Sequence, residues 1–152
     1  MAISLPYEVE ATLLTLLKEK DLNHLDTSKR SIVPIYRKDL DPNYIAYYEI
    51  LVHGKHFFVL SSGPKTGDHR EVASGPGPLP TKVLSDQAKK AGQTCKTFYL
   101  LNSMGLYMCE NQDGRAVAAS YNWIADAPVS TNKLQVSFFR PFLSSARSVF
   151  LQ

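Results

Sequence analysis

Between Pro6 and Leu25 the apolar positions Val9, Leu13, Leu16 and Leu17 recur at the spacing of one helix face, with charged residues between them. Pro6 suits an early helical turn and Ser4 offers a cap, so the pattern predicts a helix ending between Lys20 and Leu25 with its leucines turned to a core. The period then changes. Residues 32–36 (IVPIY) are β-rich but carry Pro34, whose missing donor favours an edge or a strand start. Residues 44–52 (YIAYYEILV) and 57–60 (FFVL) flank His53-Gly54-Lys55-His56, which predicts a hairpin turning on Gly54 and Lys55. In that register Tyr48, Ile50 and Val52 share one face, and Tyr47, Glu49 and Leu51 the other. Both faces hold hydrophobes, so the hairpin belongs inside a larger sheet with the first helix over one side.

Residues 63–80 (GPKTGDHREVASGPGPLP) break this regularity. Their glycines and prolines predict a shaped loop, and a connection of this length within a compact domain is usually functional or disordered. Thr81 then caps a short helix over residues 83–91 (VLSDQAKKA), which Gly92 stops. Residues 97–101, 104–110 and 115–121 read as strands, joined by Asn102-Ser103 and by the turn Asn111-Gln112-Asp113-Gly114. Residues 133–139 (KLQVSFF) supply a last strand before Pro141. The links are too short for helical crossovers, which predicts an antiparallel meander. The expected class is α+β: a curved antiparallel sheet packed against an N-terminal helix, with a second short helix. Residues 1–141 form one domain in this reading, and residues 142–152 an apolar tail packed on the domain or on a partner subunit.

Composition agrees with one domain. A chain of 152 residues, 44% hydrophobic and 20% charged, can fill a core and keep a polar surface. The net charge of +3, from 17 basic and 14 acidic residues, is scattered, so there is no strong nucleic-acid signal. No apolar run approaches the about 20 residues of a membrane span. The opening MAISLPYEVE lacks the features of a secretory signal, giving a cytoplasmic expectation, or a secreted one if a signal peptide has been removed. Two cysteines decide little about compartment.

A leucine-rich helix, a polar linker, a tyrosine-rich strand ending YYEILVHGK and a second strand HFFVLSSG together resemble cystatin-like domains, the inhibitors and propeptides associated with papain-type proteases. The resemblance covers about residues 7–63 and lies in order and texture. It implies a helix laid on a curved sheet and a protease-inhibitor-like role. Cystatins insert a glutamine-valine-glycine loop into the protease cleft; the nearest strings here, Gln93-Thr94-Cys95 and Gln135-Val136-Ser137, do not reproduce it.

Candidate chemistry is sparse. A two-residue turn sets His53 opposite His56, but two imidazoles are an incomplete zinc site, so solvent-facing histidines are favoured and no metal or cofactor is implied. Asp68, His69, Arg70 and Glu71 are the densest polar cluster, a charged turn with donors for a protein or ligand contact. Pairing Leu100 with Met104 puts Cys95 opposite Cys109, where a cross-strand bridge competes with the favoured reading of separate structural thiols. Tyr44, Tyr47, Tyr48, Tyr99, Tyr107 and Tyr121 are candidates to line a concave pocket, against the blander reading of a half-buried aromatic core. Asn111 and Trp123 mark a sheet end where an exposed anchor would serve binding. No phosphate-binding GxxxxGK[ST], dinucleotide GxGxxG, HExxH or GxSxG string is present. The expected function is non-enzymatic recognition of a protein or peptide through the 63–80 loop and this sheet end. The alternatives are a small-molecule-binding domain or cryptic enzyme with a cavity between helix and sheet, and a structural assembly subunit; a small-molecule ligand and a second copy of the chain, as a homodimer, are the other candidate partners.

Overall fold

A computed structural model of the chain describes residues 3–63, 65–66, 70–101 and 105–121. The fold is α+β, a curved antiparallel sheet with two helices, one near the N-terminus. The chain groups into two compact units, residues 1–35 with 45–77, and residues 36–44 with 78–152.

The first unit opens with α1 (Tyr7–Glu19). Its N-cap is Pro6 and no side chain caps it, so Ser4 does not play the part expected of it. Glu8 and Glu10 in the first turn and Lys18 in the last complement the helix dipole instead. Val9, Leu13 and Leu17 are buried, and they pack on Tyr48, Ile50, Val52, Phe58 and Leu60 in one core. Four antiparallel strands lie in the order β4-β3-β2-β1: β1 (Arg30–Tyr36), β2 (Tyr47–Val52), β3 (His56–Ser61) and β4 (Glu71–Gly75). The face of β2 carrying Tyr48, Ile50 and Val52 is the one beneath α1, as the alternation predicts. Each fully buried leucine or isoleucine of this layer contributes roughly 1.5–3 kcal/mol relative to exposure.

Three local expectations change here. The hairpin pairs Val52 with His56, so its turn has three residues, His53, Gly54 and Lys55. His53 and Gly54 both adopt positive φ, 55° and 64°, and Lys55 N–H returns to the Val52 carbonyl at 3.0 Å. His53 therefore sits in the turn and does not oppose His56. Residues 63–80 are not wholly irregular, because β4 occupies residues 71–75 and pairs with β3. The EVASG run contains no proline, and the glycines and prolines flanking it hid the strand. The connection from β3 is closed by Ser61: its N–H donates to the Arg70 carbonyl at 2.9 Å, and Arg70 N–H donates to Ser61 Oγ at 3.0 Å. The ladder slips by one residue between Val59 and Leu60, a bulge beside this closure.

The second unit contains α2 (Pro80–Lys90) and the antiparallel meander β5 (Thr97–Leu100), β6 (Leu106–Glu110) and β7 (Ala116–Tyr121). The helix starts earlier than the sequence predicts. Pro80 occupies its first turn, where a missing N–H costs nothing, and Thr81 is a buried residue of that turn with no capping role. Leu84 and Ala88 complete its buried face, and α2 packs on β6 and β7. Leu100 pairs with Tyr107, not Met104, so the β5–β6 connection is longer than the Asn102-Ser103 turn expected. Leu101, Leu106, Met108, Ala116 and Ala119 form this unit's apolar cluster, with Tyr99 and Tyr121 against it. The proposed strand at 133–139 and the tail at 142–152 lie outside the described residues.

Candidate functional site

The first unit offers an edge. Among the described residues β4 pairs with β3 on one side and with no strand on the other. All five of its residues are half-buried. A strand in this position carries backbone donors and acceptors that another extended chain can complete. At its first residue, Glu71 meets Lys20, the C-cap of α1, at 3.1 Å. Glu71 Oε2 is buried and makes this contact as an ion pair without hydrogen-bond alignment. The helix is tied to the sheet at a second point, where Arg30 Nη1 and Nη2 donate to Glu10 Oε1 and Oε2 at 2.6 and 2.9 Å and Arg30 Nε donates to the Thr27 carbonyl at 2.6 Å. The hydrogen bonds from Arg30 hold the Glu10 carboxyl below the usual carboxylate range, and those to Glu10 raise the guanidinium.

The second unit holds a partly buried polar cluster. Lys38 Nζ forms an ion pair with Glu110 Oε2 and lies 4.5 Å from the centroid of the Tyr99 ring. Tyr99 Oη donates to Glu110 Oε1 at 3.3 Å, and the Tyr36 ring stands 6.4 Å from that of Tyr99. Burial, with the Glu110 charge and hydrogen bond behind it, pushes the Tyr99 phenol up to about 12. Beside it, Arg37 grips Asp39 bidentately, Nε to Oδ1 at 2.9 Å and Nη2 to Oδ2 at 2.6 Å. Both oxygens of Glu110 are engaged within the protein, and a phenol held to about 12 is a poor base near neutrality. The cluster therefore has the character of a structural network.

The pocket tyrosines divide between the two units, Tyr47 and Tyr48 in the first and Tyr44, Tyr99, Tyr107 and Tyr121 in the second. Tyr48 lies in the core beneath α1, and Tyr47 points to the opposite face of β2. Tyr44 is half-buried in the loop after Asp41, whose carbonyl accepts its N–H at 2.9 Å. Tyr99 belongs to the polar cluster. Tyr107 and Tyr121 line a hollow of about 10 Å³ together with Pro80, Val83 and Ser120. That volume suits a single water molecule rather than an organic ligand.

Of the polar string at 68–71, Arg70 is exposed and joins β3 to β4 through its backbone, Glu71 pairs with Lys20, and Asp68 and His69 lie outside the described residues, as does Trp123. Asn111 organises the β6–β7 turn: its Oδ1 accepts from Asp113 N–H and Arg115 N–H, each at 3.0 Å, and its Nδ2 donates to Gln93 at 3.5 Å. Cys95 and Cys109 form a disulfide with Cα atoms 5.5 Å apart. They are not ladder partners, since Cys109 faces Phe98; Cys95 reaches it from the segment just before β5. Among the described residues no group of three or more His, Cys, Asp or Glu is placed to hold a metal ion, and no helix is long and apolar enough to cross a membrane. Sequence reasoning missed Lys20, Lys38 and Glu110. Only Glu110, a carboxylate ending an apolar strand, gave a signal that could have found its cluster.

Family models, curated proteins and solved structures were each compared with the chain, and none matches it.

Proposed function

We propose that this protein is a non-enzymatic recognition module that binds an extended protein or peptide segment by adding it as a strand along β4. The observation that carries this reading is the position of β4, a half-buried strand bonded to β3 and open on its other side among the described residues. Strand addition draws affinity from main-chain hydrogen bonds and needs no preformed pocket, in keeping with a water-sized hollow and a self-satisfied Lys38–Glu110–Tyr99 cluster. The Lys20–Glu71 and Arg30–Glu10 contacts give the edge a firm backing through α1. A helix followed by an antiparallel meander in the first unit is also the order that the cystatin-like resemblance implies, which supports recognition over catalysis as the class of function. The disulfide favours the secreted alternative, since such bonds persist in oxidising compartments. A thiol assay on protein from its native source should then find no free cysteine.

The edge is tested with a peptide selected from a random displayed library, measured against Val72→Pro, Ala73→Pro and Ser74→Pro. A proline whose lost N–H pointed outward leaves the fold intact and removes a main-chain donor, so at least one folded variant should bind about tenfold more weakly. Wild-type affinity in every folded variant would reject strand addition at β4.

A further inference from the structure

The Cys95–Cys109 disulfide ties the segment between α2 and β5 to the central strand of the second unit's meander, and its two cysteines sit in unlike surroundings. Cys109 is 0% exposed, on a strand whose residues are all buried. Its ladder partners are Phe98 on β5 and Ala118 on β7, so a strand flanks it on either side. Cys95 is half-buried, in the irregular stretch Gln93-Thr94-Cys95-Lys96, and the other three residues of that stretch are exposed. Backbone bonds hold the stretch at both ends: Gln93 N–H donates to the Ala88 carbonyl at 2.8 Å, and Lys96 N–H to the Glu110 carbonyl at 2.7 Å. Cys95 is thereby kept at the surface while Cys109 stays inside.

We propose that Cys95 is a modification site for a small thiol of the cysteine or glutathione class, which enters by exchange with the disulfide at that sulfur alone. A thiolate must reach the sulfur it attacks, and of the two residues only Cys95 has accessible surface. The incoming thiol gives up its proton and bonds to Cys95 Sγ as the bond between the two cysteines breaks. Cys109 leaves as a thiolate and takes up a proton, so one disulfide replaces another and no oxidant or reductant is consumed. The product obeys the same asymmetry. A free Cys109 thiol is a small, largely apolar group that keeps its place between β5 and β7. An adduct on Cys95 has solvent beside it, whereas one on Cys109 would have to displace a neighbouring strand. After exchange the 93–96 stretch retains its two backbone bonds and the contact of Gln93 with Asn111 at 3.5 Å, so the change stays local.

The variants Cys109→Ala and Cys95→Ala each leave one thiol, and each is treated in its folded state with oxidised glutathione at about pH 8. Intact mass should show the mixed disulfide forming at least about tenfold faster on Cys95 than on Cys109. Equal rates in the two folded variants, or a faster Cys109, would overturn the assignment. If either variant fails to fold, the wild type replaces both: folded protein is mixed with reduced glutathione, quenched in acid at early times, and the adduct located by peptide mass spectrometry. The adduct belongs on Cys95. An adduct on Cys109, or none under conditions where the unfolded protein reacts, overturns the site. Neither measurement involves β4 or a peptide, so the outcome is independent of the recognition proposed above.

Discussion

Glu110 shows how a single side chain can fix a region without acting on a substrate. It ends β6, is 5% exposed, and meets Lys38 and Tyr99 through its two oxygens. A carboxylate in such a place is tolerable only when its charge is matched. Removing one partner leaves the other uncompensated, so Lys38→Met should cost about 3 kcal/mol, the low end for a buried pair because Lys38 keeps 20% exposure. The double variant Lys38→Met with Glu110→Leu should recover most of that loss. Urea unfolding of the single and double variants measures both, and additive losses would show that the two side chains do not act as a unit. The sequence left this pair unread because Lys38 and Glu110 are 72 positions apart, and nothing in either neighbourhood names the other.

At the scale of elements, the strongest periodicities were legible and the weakest were not. The stripe Val9, Leu13, Leu17 and the alternation Tyr48, Ile50, Val52 each gave the correct buried face, since each repeats over several turns or residues. The contrast within α1 is testable: Leu13 is fully buried and its neighbour Leu14 is 49% exposed. Leu13→Ala should lower stability by about 2–5 kcal/mol, and Leu14→Ala by no more than about 0.5 kcal/mol. Thermal or urea unfolding decides it, and similar losses at both positions would place the helix face wrongly. Strand β4 was illegible for a different reason. Five residues cannot display a period against flanking glycine and proline, and their pairing is fixed by β3 and by the Ser61–Arg70 closure. Register failed at both turns because it depends on turn geometry: His53 enters the left-handed region and lengthens the first hairpin, and the β5–β6 connection extends beyond Asn102-Ser103. The disulfide overturns the favoured reading of two separate thiols: Cys95 approaches Cys109 from outside the ladder, a path that the strand register did not reveal.

For the whole molecule, the class of fold followed from element order and short connections, whereas the edge proposed for binding was not among the features read from the sequence. Asp68, His69, Arg70 and Glu71 attracted notice as charges, whereas the proposed binding edge is the backbone of the strand that starts at Glu71. An unpaired strand edge has no side-chain signature, so it becomes visible only when the sheet order is known. Recognition along β4 requires that strand to be paired on one side and available on the other. Residue-resolved amide exchange, before and after addition of a library-selected peptide, tests it most directly. In the free protein the β4 amides bonded to β3 should be protected and the alternate ones should exchange freely; on binding, the alternate ones should become protected as well. Uniformly fast exchange throughout residues 71–75 in the free protein, or new protection on binding that falls elsewhere, would contradict it.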